Sequence, residues 1–180
     1  MGQRRAQVLQ AAIELLDEVG LDALTMRLLA GRLGVRASAL YRHYPSKQAL
    51  LDAMVAHLVS PADDIAPLAD APWEELLRGV ASGMREVMLA HRDGARLLSG
   101  FQHPGEAAVA AFQHLISALT AAGVPAGTAA VAVDTVMAYA NGYTIEEQAR
   151  KTGRPREDRD RTFDDGLELI IVGVRGSLPS

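Results

Sequence analysis

The sequence predicts an all-α protein, and three observations support this fold class. Ala and Leu are abundant, and only 4% of the residues are aromatic, a composition that favours helices over strands. Apolar residues recur three and four positions apart along most of the chain. No stretch of alternating polar and apolar residues stands out, so we expect amphipathic helices without a β-sheet.

Four helices are expected in the first sixty residues, where apolar residues recur at helical spacing. Gly20 and Gly34 are residues that commonly end a helix, whereas Thr25 and Ser46 have the side-chain oxygen that an N-cap uses. Pro45 stops the third helix. The expected helices cover about residues 8–19, 25–33, 37–44 and 47–58.

Residues 60–72 form the clearest boundary, because they contain three prolines and three aspartates. The charged segment 151–159 contains Gly153 and Pro155, and we predict a mobile loop there. Between and after these segments the pattern predicts helices at about residues 73–91, 94–99, 106–122, 125–150 and 160–178.

Charge is distributed unevenly along the chain. The formal net charge is −4, yet residues 1–50 carry +3 and residues 51–180 carry −7. A basic segment can lie against phosphates while an acidic body is repelled by them. The distribution therefore favours a nucleic-acid contact near the N-terminus.

Several classes of protein are disfavoured by what the sequence lacks. The absence of cysteine excludes disulfides, thiolate metal sites and cysteine nucleophiles, and it suits a reducing, cytoplasmic location. No apolar run approaches the roughly 20 residues that span a bilayer, and the N-terminus does not have the pattern of a secretory leader. Neither a His-Glu-x-x-His spacing, a phosphate loop nor a nucleophile elbow occurs, so we do not expect an enzyme.

Residues 24–44 have the pattern of two short helices joined by a tight turn. Their apolar residues can form one small core, and Gly34 supplies the backbone freedom that the turn needs. One face of the second helix is then free to enter a DNA major groove, where arginine reads guanine or binds phosphate and small side chains meet thymine methyl groups. That face carries Arg36, Ala37, Ser38, Ala39, Tyr41 and Arg42.

This segment, together with the residues that follow it up to Leu51, resembles the helix-turn-helix region of the TetR family of transcription regulators. The matching residues are Thr25, Arg27, Leu29, Ala30, Leu33, Gly34, Val35, Leu40, Tyr41, His43, Lys47, Leu50 and Leu51. The resemblance covers about fifty residues. It implies a three-helix helix-turn-helix DNA-binding domain at residues 1–46 and a helical ligand-binding and dimerisation domain at residues 47–180, which opens with a connecting helix at residues 47–59.

The resemblance also implies which residues contact DNA. They are Thr25, Arg27, Arg36, Ala37, Ser38, Ala39, Tyr41, Arg42 and Lys47. Two neighbours have a simpler interpretation, since His43 can pack against the fourth helix and Arg32 can be a solvated side chain.

Members of the family pair through two long C-terminal helices per subunit, and two stripes of this sequence suit such pairing. The first is a row of small residues: Val131, Thr135, Ala138 and Gly142. The second is a continuous apolar stripe: Phe163, Leu167, Ile170, Ile171 and Val174. The core of a single subunit is the alternative for either stripe, because core faces and dimer faces look alike in sequence.

The C-terminal part resembles the tetracycline-repressor branch of the family, through residues 91–96 and 142–148. That branch binds a drug–magnesium chelate through a His and a Glu. Glu146 matches the Glu, but Leu98 stands at the His position and Val80 at an Asn position. A lone carboxylate is a poor magnesium site, so we expect a ligand other than tetracycline and neither a metal nor a cofactor.

A mostly apolar cavity for a small-molecule effector is expected instead. Its expected apolar lining is Met84, Met88, Leu97, Leu98, Phe101, Phe112, Leu115, Met137 and Tyr139. The polar groups expected to orient a ligand are His103, Gln113 and Glu146. An ordinary place in the hydrophobic core is the alternative for each apolar residue.

These features predict a ligand-responsive, DNA-binding transcription regulator. By resemblance to the family, we expect a repressor that binds a palindromic operator as a homodimer and is released by the effector. A helical interaction module is the alternative. It would show little preference among DNA sequences, whereas a repressor gains roughly 10³-fold or more at its own site.

Overall fold

A computed structural model describes residues 2–59, 71–150 and 153–178, and every regular element within these ranges is a helix. The predicted all-α class is confirmed. None of the helices in the described ranges is long and apolar enough to cross a membrane. The helices are α1 (Gly2–Val19), α2 (Met26–Arg32), α3 (Ala37–Tyr41), α4 (Lys47–Leu58), α5 (Trp73–Ala90), α6 (Gly94–Ser99), α7 (Glu106–Ala121), α8 (Ala126–Arg150) and α9 (Arg156–Arg175).

The described residues form two compact units. The first consists of residues 2–59 and 87–105, and the second of residues 71–86, 106–150 and 153–178. Helices α4 and α6 thus pack in the same unit as the three N-terminal helices. The predicted division at residue 46 stays a prediction about function, and most of the predicted boundary at 60–72 lies outside the described residues.

The most deeply buried large apolar side chains of the first unit include residues from α1, α2, α3, α4 and the turn before α2. Each of these side chains is at most 1% exposed: Leu16, Leu24, Leu29, Leu40, Leu50 and Met54. Tyr44, which follows α3, is buried as well. A short helix such as α2 or α3 is unstable alone, so this shared core is what holds both helices in place.

The turn between α2 and α3 is closed by a pair of backbone hydrogen bonds. Val35 N–H donates to Ala30 O at 3.0 Å, and Gly34 N–H donates to Gly31 O at 3.2 Å. This is the Schellman arrangement, which requires a left-handed residue after the helix. Gly34 supplies it with φ +64°. The backbone freedom predicted for Gly34 is thus used to adopt the left-handed conformation that closes this turn.

The second unit is built around one hydrophobic cluster that runs through α5, α7, α8 and α9. Helix α8 packs against both α7 and α9. Trp73, the single tryptophan of the chain, is buried in this cluster at the start of α5.

The prediction of a mobile loop at residues 151–159 is wrong for the second half of that segment. Residues 151 and 152 lie outside the described residues, but α9 begins at Arg156, directly after Pro155. Glu157 and Asp158 in the first turn suit the positive end of a helix. Arg159 also binds Glu147 at 2.7 Å. Charged residues that looked like a solvated loop in sequence are the first turn of a helix.

Replacing Gly34 with alanine should lower the free energy of unfolding by about 1–2 kcal/mol, the cost of a left-handed alanine. Gly31→Ala is the matched control. Gly31 is helical and a Cβ there would meet no atom within 4 Å, so the change should be neutral or stabilise by up to about 1 kcal/mol. Urea unfolding followed by circular dichroism measures both. Equal effects of the two changes would contradict the role of Gly34.

Candidate nucleic-acid interface and effector unit

The ends of α2 and α3 are set by capping. Thr25 is the N-cap of α2, and its hydroxyl oxygen accepts a hydrogen bond from Leu28 N–H at 3.1 Å. Leu40 anchors α3 in the core, with 1% of its surface exposed. Because one side of α3 is buried through Leu40, the opposite side faces outward and is available to a partner.

The structure leaves most of the predicted DNA-binding side chains accessible. Thr25, Arg27, Arg36, Ser38, Tyr41 and Arg42 are exposed, and Ala37, Ala39 and Lys47 are partly exposed. Tyr41 has 48% of its surface exposed although it is a large aromatic residue. Lys47 is tethered, since its Nζ donates to Leu21 O at 3.3 Å.

The arginines of the first unit fall into two groups. Arg32 forms an ion pair with Glu18, and Arg96 binds Asp22 through two hydrogen bonds of 2.8 and 3.1 Å. By contrast, no ion pair or side-chain hydrogen bond within the described ranges engages Arg27, Arg36 or Arg42. Arg27 lies in the first turn of α2, and Arg36 and Arg42 directly precede and follow α3. An anionic partner at these two helices would neutralise all three.

The paired arginines alter their partners electrostatically. Hydrogen bonding by Arg32 lowers the pKa of Glu18, and hydrogen bonding by Arg96 lowers the pKa of Asp22. Arg32 is therefore engaged within the protein, whereas the sequence indicated a merely solvated side chain.

The segment 91–96, noted in the sequence only for its family resemblance, holds the end of α1. Asp17 accepts hydrogen bonds from Arg92 N–H at 2.9 Å and lies 3.0 Å from His91 Nδ1. The Arg92 guanidinium donates to Glu18 O at 2.7 Å. We call this set of contacts the α1 clamp, and it also includes the carboxylate of Asp93.

Asp93 has the left-handed backbone, with φ +57°, that residues other than glycine rarely adopt. Its Oδ2 accepts a hydrogen bond from Leu21 N–H at 2.9 Å. Gly20 makes this approach possible, because a Cβ on Gly20 would lie 2.8 Å from that same oxygen. The clamp therefore fixes the turn that leads into α2.

The predicted effector-binding residues are divided between the two units. Those in the second unit pack on or in one hydrophobic cluster: Met84, Phe112, Leu115, Met137 and Tyr139. Those in the first unit are Met88, Leu97, Leu98, Phe101 and His103. Met88, Leu97 and Leu98 are buried, whereas Phe101 is 40% exposed.

The predicted polar ligand-binding groups have partners or lie in solvent. Glu146 is exposed and binds Arg150 at 2.9 Å. His103 Nδ1 lies 2.9 Å from the Asp52 carboxylate. Gln113 is exposed. The Tyr139 hydroxyl donates to Phe163 O at 3.0 Å, so its polar end is engaged by α9.

A buried ion cluster that sequence reasoning missed joins α5, α8 and α9. Arg85, with 4% of its side chain exposed, binds both oxygens of Glu147 at 2.9 and 3.0 Å and Asp160 at 2.7 Å. Its guanidinium lies 5.0 Å from the centre of the Phe163 ring. Hydrogen bonding by Arg85 lowers the pKa of Asp160. The one sequence signal for this burial is that Arg85 falls on the apolar face of α5.

The two predicted dimer stripes differ in the structure. Val131, Thr135, Ala138 and Gly142 are all exposed and share one face of α8. On α9, the residues Phe163, Leu167, Ile171 and Val174 belong to the core of the second unit, and Ile170 is partly buried against it. The α9 stripe is therefore core, because its side chains already fill the space between helices. The exposed apolar residues of α9 are Leu169 (76%) and Val172 (52%).

Within the described ranges, no group of three or more His, Asp or Glu residues is arranged to hold a metal ion. Leu98 is buried at the position where the resemblance would place a metal-binding His.

A short helix pair with an exposed, unpaired basic face, followed by a helical unit with its own core, is the arrangement of a helix-turn-helix transcription regulator. Residues 8–54 match the model for bacterial regulatory proteins of the tetR family, and residues 66–159 match the tetracyclin repressor-like C-terminal domain. The chain belongs to the TetR family. The predicted family and the predicted class, a ligand-responsive transcription regulator, are confirmed.

Known relatives are similar over most of the chain. The class A tetracycline repressor from transposon 1721 of Escherichia coli is 43% identical over 79% of this chain, and the match spans 66% of that repressor. A TetR variant of Acinetobacter baumannii AYE, solved with minocycline, is 35% identical over 97% of this chain and 98% of its own, with a TM-score of 0.87. BioQ, solved with its double-stranded DNA operator, is 33% identical over 94% and 96%, with a TM-score of 0.75.

The ion pair of Asp160 should make the second unit sensitive to acid. Because the folded-state pKa of Asp160 is lowered, the stabilisation is present above the unfolded value of about 4 and is lost as pH falls through the folded value. Asp160→Asn should therefore lower stability at pH 7 and flatten its loss below pH 4.

Fluorescence of Trp73 during urea unfolding, repeated from pH 7 to pH 2.5, would measure this effect. Asp158→Asn is the control, since the nearest cation, Arg161, stands 3.9 Å away. If Asp160→Asn kept the same dependence on pH as the unmodified protein, the ion pair would not be the cause.

Proposed function

We propose that this chain is a transcriptional repressor that acts in the cytoplasm, by binding alone and without catalysis. Two copies bind a palindromic operator, and a small-molecule effector releases them. The observation that carries the DNA-binding part is the contrast between Arg27, Arg36 and Arg42, which have no partner among the described residues, and Arg32 and Arg96, which are paired. Exposed, unpaired cations around a helix-turn-helix fit a phosphate-lined groove.

The proposed contacts follow from the chemistry of each exposed side chain. Arg36 and Arg42 flank α3 and can read guanine or bind phosphate. Ala37, Ser38 and Ala39 are small enough for α3 to approach the bases closely. Thr25, Arg27, Tyr41 and Lys47 then contact the backbone and fix the register. BioQ, a structural relative, has been solved on its operator, which supports the same use of this fold here.

The twofold symmetry of a dimer matches the inverted repeats of a palindromic operator. Two copies of α3 would lie about 34 Å apart, one helical turn of DNA, and would read inverted half-sites. An effector releases DNA only if it binds the non-DNA geometry more tightly, and a coupling free energy of about 1–3 kcal/mol is typical of such control.

The effector is proposed to be largely apolar and to bind without the magnesium chelate geometry of the tetracycline-repressor branch. Support comes from the residues themselves: Leu98 and Val80 lack the donor atoms of that site, and Glu146 is engaged by Arg150. In the second unit the apolar lining would come from Met84, Phe112, Leu115, Met137 and the ring of Tyr139. Minocycline is bound by a structural relative, so it is the natural first compound to compare with apolar candidates.

The proposed dimer surface combines the exposed row on α8 with the exposed apolar residues on α9. Val131 is 63% exposed, Leu169 76% and Val172 52%. Large apolar side chains left this open on two adjacent helices commonly mark an interface. Small residues such as Ala138 and Gly142 allow close approach of a partner helix. Leu169 and Val172 thus replace the core residues Leu167 and Ile171 in the proposed interface.

Arg42→Ala should weaken binding to the operator by about 1–3 kcal/mol, or roughly 5- to 150-fold, because a contact from α3 is lost. Arg32→Ala removes the same charge from a residue paired with Glu18 and should change binding much less. Fluorescence anisotropy with the gene's own upstream DNA and with a scrambled duplex measures both.

Preference for the upstream DNA by orders of magnitude is expected for the unmodified protein. Equal, weak binding to both duplexes would favour the interaction-module alternative. Unchanged affinity and base preference in Arg42→Ala would mean that another face of α3 meets the DNA.

Leu169→Asp should separate the dimer, because it places a charge in the proposed interface. Light scattering would then give the mass of one chain while circular dichroism stays helical. Val109→Asp on α7, where Val109 is 41% exposed, is the matched control and should leave the mass unchanged. A fully dimeric Leu169→Asp protein would exclude this surface of α9, and Leu167→Asp should instead unfold the second unit.

A further inference from the structure

We propose that the first turn of α1 is a second DNA-contacting surface, in which Arg4 binds a backbone phosphate beside the bases that α3 reads. The inference rests on the proposed function, and it adds Arg4, which is not one of the DNA contacts proposed above. Residues 2–7 also precede the segment that matches the family model, which begins at residue 8. The partner is the phosphodiester backbone of double-stranded DNA, and the contact is independent of base sequence.

The position of Arg4 is set by a cleft between α1 and α3. Arg4 and Gln7 line one side of a cleft of about 220 Å³, and Ala39 and His43 line the other. Ala39 lies on α3, and His43 lies in the turn that directly follows it, so both border the cleft on the side of α3. Arg4 therefore stands beside α3, on the α1 side of its outward-facing surface.

The anchoring of α1 keeps Arg4 in this place. Tyr44, which follows α3 and is 1% exposed, donates from its hydroxyl to Arg5 O at 3.2 Å. The guanidinium of Arg5 lies 5.0 Å from the centre of the Tyr44 ring, within range of a cation–π contact. The backbone next to Arg4 is thus fixed to the same segment that ends α3, and less entropy is lost when Arg4 binds a partner.

The charge of this turn is not explained by the stability of α1. The first acidic residue of the chain is Glu14, and the first turn of α1 contains none. Arginines in a first turn are unfavourable to the helix dipole, which prefers acidic residues there. Arg4 is exposed, and no ion pair or hydrogen bond in the described ranges engages its side chain. An anionic partner next to α3 would offset this cost.

The consequence is an extended electrostatic footprint. Arg36 and Arg42 stand at the two ends of α3. Arg4 adds a cation beside this helix, so each subunit would neutralise one more phosphate than the helix-turn-helix alone. Each phosphate contact releases counterions and steepens the dependence of binding on salt by about 0.9 in the log–log slope. In a dimer, the two Arg4 contacts would therefore contribute about 1.8 to the slope of log affinity against log salt concentration.

The test compares the unmodified dimeric protein with its Arg4→Ala and Arg4→Lys variants on the gene's own upstream DNA, taken as the operator, and on a scrambled duplex. Fluorescence anisotropy from 50 to 300 mM KCl gives both affinity and slope. Arg161→Ala is the charge-matched control, since Arg161 lies in the second unit and is 73% exposed. Circular dichroism and light scattering confirm that each variant is folded and dimeric.

Arg4→Ala should bind both duplexes about 10- to 100-fold more weakly at 100 mM salt and should flatten the slope by about 1.8. Arg4→Lys, which keeps the charge, should recover most of the affinity. Affinity and slope equal to those of Arg161→Ala would overturn the proposal. So would a loss confined to the operator, because that would indicate base reading.

Failure of the proposed function has a different signature. In that case the unmodified protein would not distinguish the operator from the scrambled duplex at any salt concentration. The effect of Arg4→Ala would still be measured on both duplexes, and the two outcomes are therefore separable.

Discussion

The clamp on the end of α1 is the interaction on which the geometry of the first unit depends. Asp17 and Leu21 are bound by Arg92 and Asp93, residues more than seventy positions away in sequence. Asp93 accepts a left-handed backbone to make its contact, and the hydrogen bond from Leu21 N–H offsets that strain. Because the clamp fixes the turn between α1 and α2, it also fixes the direction in which α2 and α3 present their exposed residues.

In the second unit, too, contacts between residues distant in sequence fix how the helices pack, but there the charges are buried. Arg85 binds Glu147 and Asp160 where three helices meet, and its guanidinium packs over Phe163. A buried ion pair adds little net stability compared with apolar packing, but removal of one partner leaves an uncompensated charge. The cluster therefore restricts how α5, α8 and α9 can pack, since any arrangement that separates Arg85 from its carboxylates leaves a buried charge unpaired.

Pairing of charge also separates structural arginines from those available to DNA. Arg32, Arg85 and Arg96 are all engaged by carboxylates, while Arg4 and Arg42 have no partner among the described residues. An acidic C-terminal part and a basic N-terminal segment were visible in composition, but composition does not say which individual cations are free. The distinction matters because only a free cation gains from counterion release on binding.

The sequence by itself determined the all-α class, the helix-turn-helix with its capping Thr25 and left-handed Gly34, and the family, because each depends on local spacing and local backbone preference. It did not determine which face of α9 is core, since Leu167 and Leu169 are both leucines on one amphipathic helix. It also placed 151–159 in a loop, although the contact between Arg159 and Glu147 helps to hold part of it as helix. Only the tertiary structure decided these points, because burial and ion pairing depend on residues that are distant in sequence and come together only when the helices pack.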